Sequence, residues 1–174
     1  TSNFRAGVNA GNSIASGGQY NVVVGDEAGT AITTGDENTF VGYQSGDATT
    51  TATGNTAIGF TALTANVLGS RSVAIGRAAL QVQNPASAVN MYNVAVGHGA
   101  GEAVTTGVQN TFIGGLSGDI NTTAANNTAV GYASLGANTT GANNVAVGSY
   151  ALDANTTAAG GTAVGYASLT ANTT

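Results

Sequence analysis

The chain holds one histidine, His98, in the phrase VGHGAGE, with Glu102 four residues further on. An imidazole beside a carboxylate is the start of a proton relay. Acyl-transfer catalysis also needs a nucleophile within hydrogen-bond reach and a third group to orient the ring. The serines and remaining acids fall on turns of other repeats, so no triad assembles and the chain reads as a non-enzyme. One imidazole also gives a metal only one ligand per chain, so a His98 metal site would require a ring of several copies. The acids Asp26 and Glu27, Asp36 and Glu37, then Asp47 gather in Gly-rich turns, where stacked carboxylates suit calcium. Their density is below that of calcium-binding repeats, and they read as a solvated face. No metal or cofactor is expected. Tyr43, Phe60, Tyr132 and Tyr166 each follow a glycine and could form an aromatic ladder that grips sugars or protein. Packing against a neighbouring chain is their expected role.

Composition narrows the setting. Only 6% of the 174 residues are charged, against roughly 25% in ordinary soluble domains. There is no Lys, Arg occurs only at Arg5, Arg71 and Arg77, and the net charge is -5. A phosphate-binding surface has almost nothing to build it from, which excludes nucleic acid as an expected partner. With no Cys, disulfides, thiolate nucleophiles and zinc clusters are all excluded. No apolar run reaches the roughly 18 residues of a membrane span, and the N-terminus lacks the basic start and apolar core of a signal peptide. The first residue is not Met and the last phrase, ANTT, stops in mid-pattern. The chain therefore reads as a section of a longer protein.

Self-comparison supplies the elements that position these residues. NTAVGYASL at 127–135 returns as GTAVGYASL at 161–169, with NVAVGSYAL between them at 144–152. Gly25, Gly42, Gly59, Gly76, Gly97, Gly114, Gly131, Gly148 and Gly165 are separated by 17, 17, 17, 21, 17, 17, 17 and 17 residues. Gly7, in NFRAGVNAG, opens the series, making ten copies. The single long interval lies around 81–92, holds the only Pro and the only Met (Pro85 and Met91), and reads as a loop inserted into one coil. The whole chain, 1–174, is expected to be one repeat domain.

Each copy can be aligned on its glycine. One residue before it stand Val24, Val41, Ile58, Ile75, Val96, Ile113, Val130, Val147 and Val164; three before it stands Val or Thr. β-Branched residues two apart share one face of a short strand, and the wealth of Gly with no helical period excludes helix. That face is the expected core, joined across a turn by Leu63, Leu80, Leu135, Leu152 and Leu169, four residues after their glycines. Where that slot is Gly instead, Ile14, Ile32, Val104 and Ile120 are expected to refill the core. Asn21, Asn38, Asn55, Asn93, Asn110, Asn127 and Asn144 open the strands and should stack into a hydrogen-bonded ladder. Paired Thr, as at Thr33 and Thr34, should do so on the other turn. Like stacks on like, so each copy is one coil of a parallel β-solenoid.

The residues two before each glycine are Val23, Phe40, Ala57, Ala74, Ala95, Phe112, Ala129, Ala146 and Ala163, with no charge among them. If the neighbouring columns face inward, this one faces outward and forms an apolar strip on the order of 400 Å². A strand apolar on both faces expects cover on both. The strip is therefore the expected interface of an obligate oligomer.

SRSVAIGRAAL at 70–80 and NNVAVGSYAL at 143–152 resemble the head repeats of trimeric autotransporter adhesins, the YadA-like head. The resemblance covers all ten copies and rests on the recurring N-x-[VA]-x-G. It implies a left-handed β-roll, a homotrimer, an extracellular location on a bacterial surface, and attachment to a host protein or glycan. The coil here is about three residues longer than in that family, in the ANTTGAN turn; similar longer repeats occur in phage tail fibres, which implies a virion as the other setting. Two alternative functions follow from the residues. One is a self-assembling extracellular filament of rods stacked end to end. The other is an ice-binding solenoid built on the Thr and Asn ladders.

Overall fold

In the computed structural model, residues 2–171 are described. Ten three-residue strands stack in parallel and in register, each pairing with its equivalent one coil away. They are β1 (Phe4–Ala6), β2 (Val22–Val24), β3 (Thr39–Val41), β4 (Thr56–Ile58), β6 (Val73–Ile75), β8 (Val94–Val96), β9 (Thr111–Ile113), β10 (Thr128–Val130), β11 (Val145–Val147) and β12 (Thr162–Val164). The long coil adds a separate parallel pair, β5 (Gly69–Ser70) with β7 (Val89–Asn90). The result is an all-β solenoid of about nine turns, with no helix among the described residues.

Register follows from the repeat, because a parallel pair places identical positions side by side: Ala129 against Ala146, Thr39 against Thr56. The glycine after each strand enforces the close stacking. Gly59 has φ +138°, a region that side chains disfavour, and a Cβ there would lie 2.5 Å from the carbonyl oxygen of Gly76 on the next coil. The same geometry recurs up the stack, so a glycine column forms one edge of the sheet. Each full coil turns corners through three further left-handed positions: five residues before the glycine, and two and four after it. Among the described residues Thr61 is the only β-branched one with positive φ, in keeping with the crowding such side chains suffer there.

Inside and outside are the reverse of the expected assignment. Val23, Phe40, Ala57, Ala74, Ala95, Phe112, Ala129 and Ala146 are fully buried within their own chain, and Ala163 is 3% exposed. This column is the solenoid core, not an oligomer interface. Val24, Val41, Ile75, Val96, Val130 and Val147 are half-buried, while Ile58, Ile113 and Val164 are exposed. These project from the outer face of the sheet and are not the core. Of the leucines assigned to the core, Leu63, Leu80, Leu135 and Leu152 are fully buried; Leu169, on the last coil, is 54% exposed.

The physical reason is width. The hollow of one coil accepts a single large side chain, and two columns share the task of supplying it. Where Ala precedes the glycine by two, Leu usually follows it by four, as in Ala57 with Leu63 and Ala129 with Leu135. Where Phe occupies the first column the second is Gly: a Cβ on Gly46 would meet the Phe40 ring at 2.5 Å, and one on Gly118 would collide with Phe112. Leu in a left-handed conformation costs about 1–2 kcal/mol. Burying the side chain returns about 1.5–3 kcal/mol, so the arrangement holds. Ile32 and Val104 fill the core beside two of the glycines and Ile14 packs on its margin, but Ile120 is 43% exposed and refills nothing.

Two outcomes are expected in urea denaturation. Phe112→Ala should destabilise by about 3–5 kcal/mol, and Gly118→Leu alone should destabilise through its clash with Phe112, yet the double variant should recover most of the loss by recreating the Ala129/Leu135 coil. Gly59→Ala should cost more than about 2 kcal/mol. Gly165→Ala, with the same backbone strain but no atom within 4 Å of the added Cβ, should cost clearly less.

Candidate functional site

Two ladders of polar side chains lock the coils on which surface residues sit. The backbone N–H of Asn38 donates to Asn21 Oδ1 (2.9 Å), that of Asn55 to Asn38 Oδ1 (3.0 Å), and that of Ser72 to Asn55 Oδ1 (2.9 Å). The series resumes through Asn93, Asn110, Asn127 and Asn144. Each Asn also reaches across its coil, as when Asn21 Nδ2 donates to the Gly35 carbonyl at 2.9 Å. This is the ladder expected of the strand-opening asparagines. A second ladder lies outside the sequence expectation: Asn138 Nδ2 donates to Asn121 Oδ1 (2.7 Å), and Asn155 Nδ2 to Asn138 Oδ1 (2.9 Å), all three buried. Its signal is present in the sequence as Asn66, Asn121, Asn138 and Asn155, each seven residues after its glycine.

Gln83, in the long coil, joins the two ladders where the first is interrupted by Ser72. Its Oε1 accepts from Asn93 Nδ2 (2.9 Å) and its Nε2 donates to Asn66 Oδ1 (3.2 Å). Within the 81–92 insertion, Met91 is fully buried, Pro85 is buried, and residues 86–90 are exposed. Among the described residues, no buried polar side-chain atom lacks a hydrogen bond. Thr33, Thr50, Thr105, Thr122 and Thr139 each donate to a carbonyl of the next coil at 3.1–3.3 Å.

The outer sheet face carries two columns. The residues one before each glycine stand beside those three before it, which run Val22, Thr39, Thr56, Val73, Val94, Thr111, Thr128, Val145 and Thr162 from the second coil onward. Neither column holds a charge on any coil. At the rim beyond the glycines, Tyr43 and Phe60 stack with centroids 5.3 Å apart and planes 20° apart. The Arg77 guanidinium lies 5.9 Å from the Phe60 centroid, and its Nη1 is 3.2 Å from His98 Nε2. Tyr132, Tyr150 and Tyr166 meet edge to face further along. On the opposite rim, Arg71 Nη1 donates to Tyr92 Oη at 3.0 Å. His98 therefore touches Arg77.

The acids of the early coils serve neighbouring backbone and side chains. Asp26 accepts from the Val8 N–H, Asp36 from the Gln19 N–H, and Glu27 from Gln44 Nε2. Among the described residues, no group of three or more His, Asp or Glu side chains converges to hold a metal. The Glu27 carboxylate beside Tyr43 raises its phenol above the ordinary value of 10.0, with smaller contributions from desolvation and Asp26. Desolvation, then Glu27, raises Asp47 above 3.8. Asp119 is raised too, chiefly by desolvation. No helix among the described residues is long and apolar enough to cross a membrane. No family model matches the chain, and no curated protein or solved structure matches it either.

A raised Asp47 means the folded chain holds this proton more tightly than the unfolded one. Its contribution to stability is therefore greatest at low pH and falls as pH rises from about the unfolded value toward the folded one. Asp47→Asn should raise the melting temperature at pH 7, by an amount that shrinks as both proteins are titrated below pH 4; thermal melts across pH 3–7 check this.

Proposed function

We propose that this chain is a rigid rod segment of an extracellular fibre that attaches a bacterial surface or a virion to its target, working as a homotrimer through the outer sheet face. The observation that carries this reading is the pair of uncharged columns on that face, from Val22 and Val24 to Thr162 and Val164. Ile58 and Ile113 remain 38% and 39% exposed although strands flank them on both sides. A contiguous apolar strip about ten strands long is on the order of 400 Å², the size that marks an interaction surface. At about 25 cal/mol per Å² its burial contributes roughly 10 kcal/mol per chain before the costs of association. The stacked glycines and two Asn ladders suit the rod to bearing load along its axis. Left-handed winding and threefold packing rest on the resemblance of SRSVAIGRAAL and NNVAVGSYAL to the YadA-like head.

Light scattering tests the assembly. The expected mass is three times 16.7 kDa. Ile75→Glu with Ile113→Glu should reduce it to one chain while the β-sheet circular dichroism persists. A wild-type mass of one chain overturns the shared face, and a mass of two chains overturns the threefold arrangement.

A second reading has one observation in its favour. Thr39, Thr56, Thr111, Thr128 and Thr162 share the outer face with Val and Ile in a two-column grid of β-branched side chains, repeating every ~4.8 Å. Such a grid suits ordered water, so a monomeric rod would present it to ice. Thermal hysteresis in the wild type, lost in Thr56→Lys with Thr128→Lys, is the expected result; no hysteresis in a monomeric preparation overturns this reading.

A further inference from the structure

The rim of aromatic and cationic side chains beside the outer face has no role in the core. Tyr43, Phe60, Arg77 and His98 occupy one position, the residue after the glycine, on four consecutive coils. Tyr43 is 42% exposed and Phe60 50% exposed, and Arg77 and His98 are exposed as well. Their contacts run along the row: ring on ring at 5.3 Å, guanidinium over ring at 5.9 Å, guanidinium to imidazole at 3.2 Å. Hydrogen-bonded coils beneath fix their spacing, so the row is preorganised and a ligand meets little ordering cost. It is a platform rather than a pocket, and it suits a linear ligand whose repeat is comparable with the coil spacing.

From this arrangement we infer that the row Tyr43–Phe60–Arg77–His98 binds linear polysaccharides built of carboxylated pyranoses. The Tyr43 and Phe60 rings lie against one another and Arg77 covers Phe60 from the other side, so the apolar face of a sugar ring packs across their exposed outward edges. A carboxylate on the next sugar meets Arg77, whose contacts within the chain are Phe60 and His98, neither of them an acid. A guanidinium pairs with a carboxylate in two parallel hydrogen bonds, a geometry that a neutral sugar cannot reproduce. Asp26, Glu27 and Asp47 lie beside the Tyr43 end and the Glu102 carboxylate lies near Gly99, next to His98, so Arg77 between them is the place on the row for a ligand carboxylate. With a net charge of -5, the chain repels polyanions in general, and binding depends on the local contact. The inference rests on the attachment reading for its biological meaning, while its test stands apart from the assembly of the rod.

The test is calorimetric titration of the full chain with oligogalacturonate, a linear carboxylated pyranose chain, against a cello-oligosaccharide of equal length, at low salt. Saturable oligogalacturonate binding at least tenfold tighter than the neutral sugar is expected. Phe60→Ala should weaken both sugars tenfold or more, Arg77→Gln should abolish the preference for the acidic one, and Phe60→Tyr should restore binding. Tyr132→Ala, remote along the rim, should leave binding unchanged. No saturable binding by the wild type, or binding indifferent to both Phe60→Ala and Arg77→Gln, overturns the inference. So does a fall in mass on Phe60→Ala or Arg77→Gln, which would make the row a contact between subunits. The mass of the wild type reports on the trimer separately from any of these results.

Discussion

Everything in this molecule depends on coils approaching one another closely enough for each backbone N–H to reach the coil beside it. The glycine column sets that approach. A side chain at Gly42, Gly59 or Gly76 would enter the carbonyl of the neighbouring coil, so one column of missing Cβ atoms permits the parallel ladder. Once the backbones are this near, side chains at equal positions are forced into contact, and only residues that tolerate their own image can occupy them. Asn donates and accepts with itself, Thr bonds the next carbonyl, and Tyr and Phe stack. Lys or Asp in the same columns would repel its copies. The very low charge content is thus a consequence of stacking rather than an independent feature.

The core obeys the same constraint in a different form. Each coil encloses room for one large side chain, which either of two columns can provide. Phe40 and Phe112 supply it from the strand, and Leu63, Leu80, Leu135 and Leu152 supply it from the turn. The reciprocity between Ala with Leu and Phe with Gly is the packing rule of the fold, and it tolerates exchange between adjacent coils because neighbouring layers interdigitate. Ala95 with Gly101 shows this: the Leu80 and Phe112 side chains from the coils on either side close over Gly101.

Consistent burial of the small column leaves the larger β-branched residues outside, and that assignment gives the molecule a directional surface. One sheet face is apolar or threonine-lined along its length. Its rims carry the aromatic rings, the cations Arg71 and Arg77 and the His98 imidazole, while acids concentrate on the early coils. A rod built by simple repetition would be uniform; the substitutions at the rim are where the coils differ most in chemistry.

The period, the parallel stacking, the strand positions and the first Asn ladder were legible in the sequence, because each is written by spacing alone and recurs in most of the ten copies. The second Asn ladder was equally written, seven residues after the glycine, but Thr49, Gln83, Ile32 and Val104 interrupt its column. Spacing did not decide which strand face is inside. Alternation puts Val24 and Val22 on one face and Val23 on the other, and hydrophobicity ranks the larger pair as core. The tertiary structure reversed that ranking, because the enclosed width, set by left-handed corners at positions such as Leu63 and Ala78, admits Ala beside one Leu and excludes a second row of Val and Ile. Backbone geometry at the corners, not side-chain polarity, chose the interior.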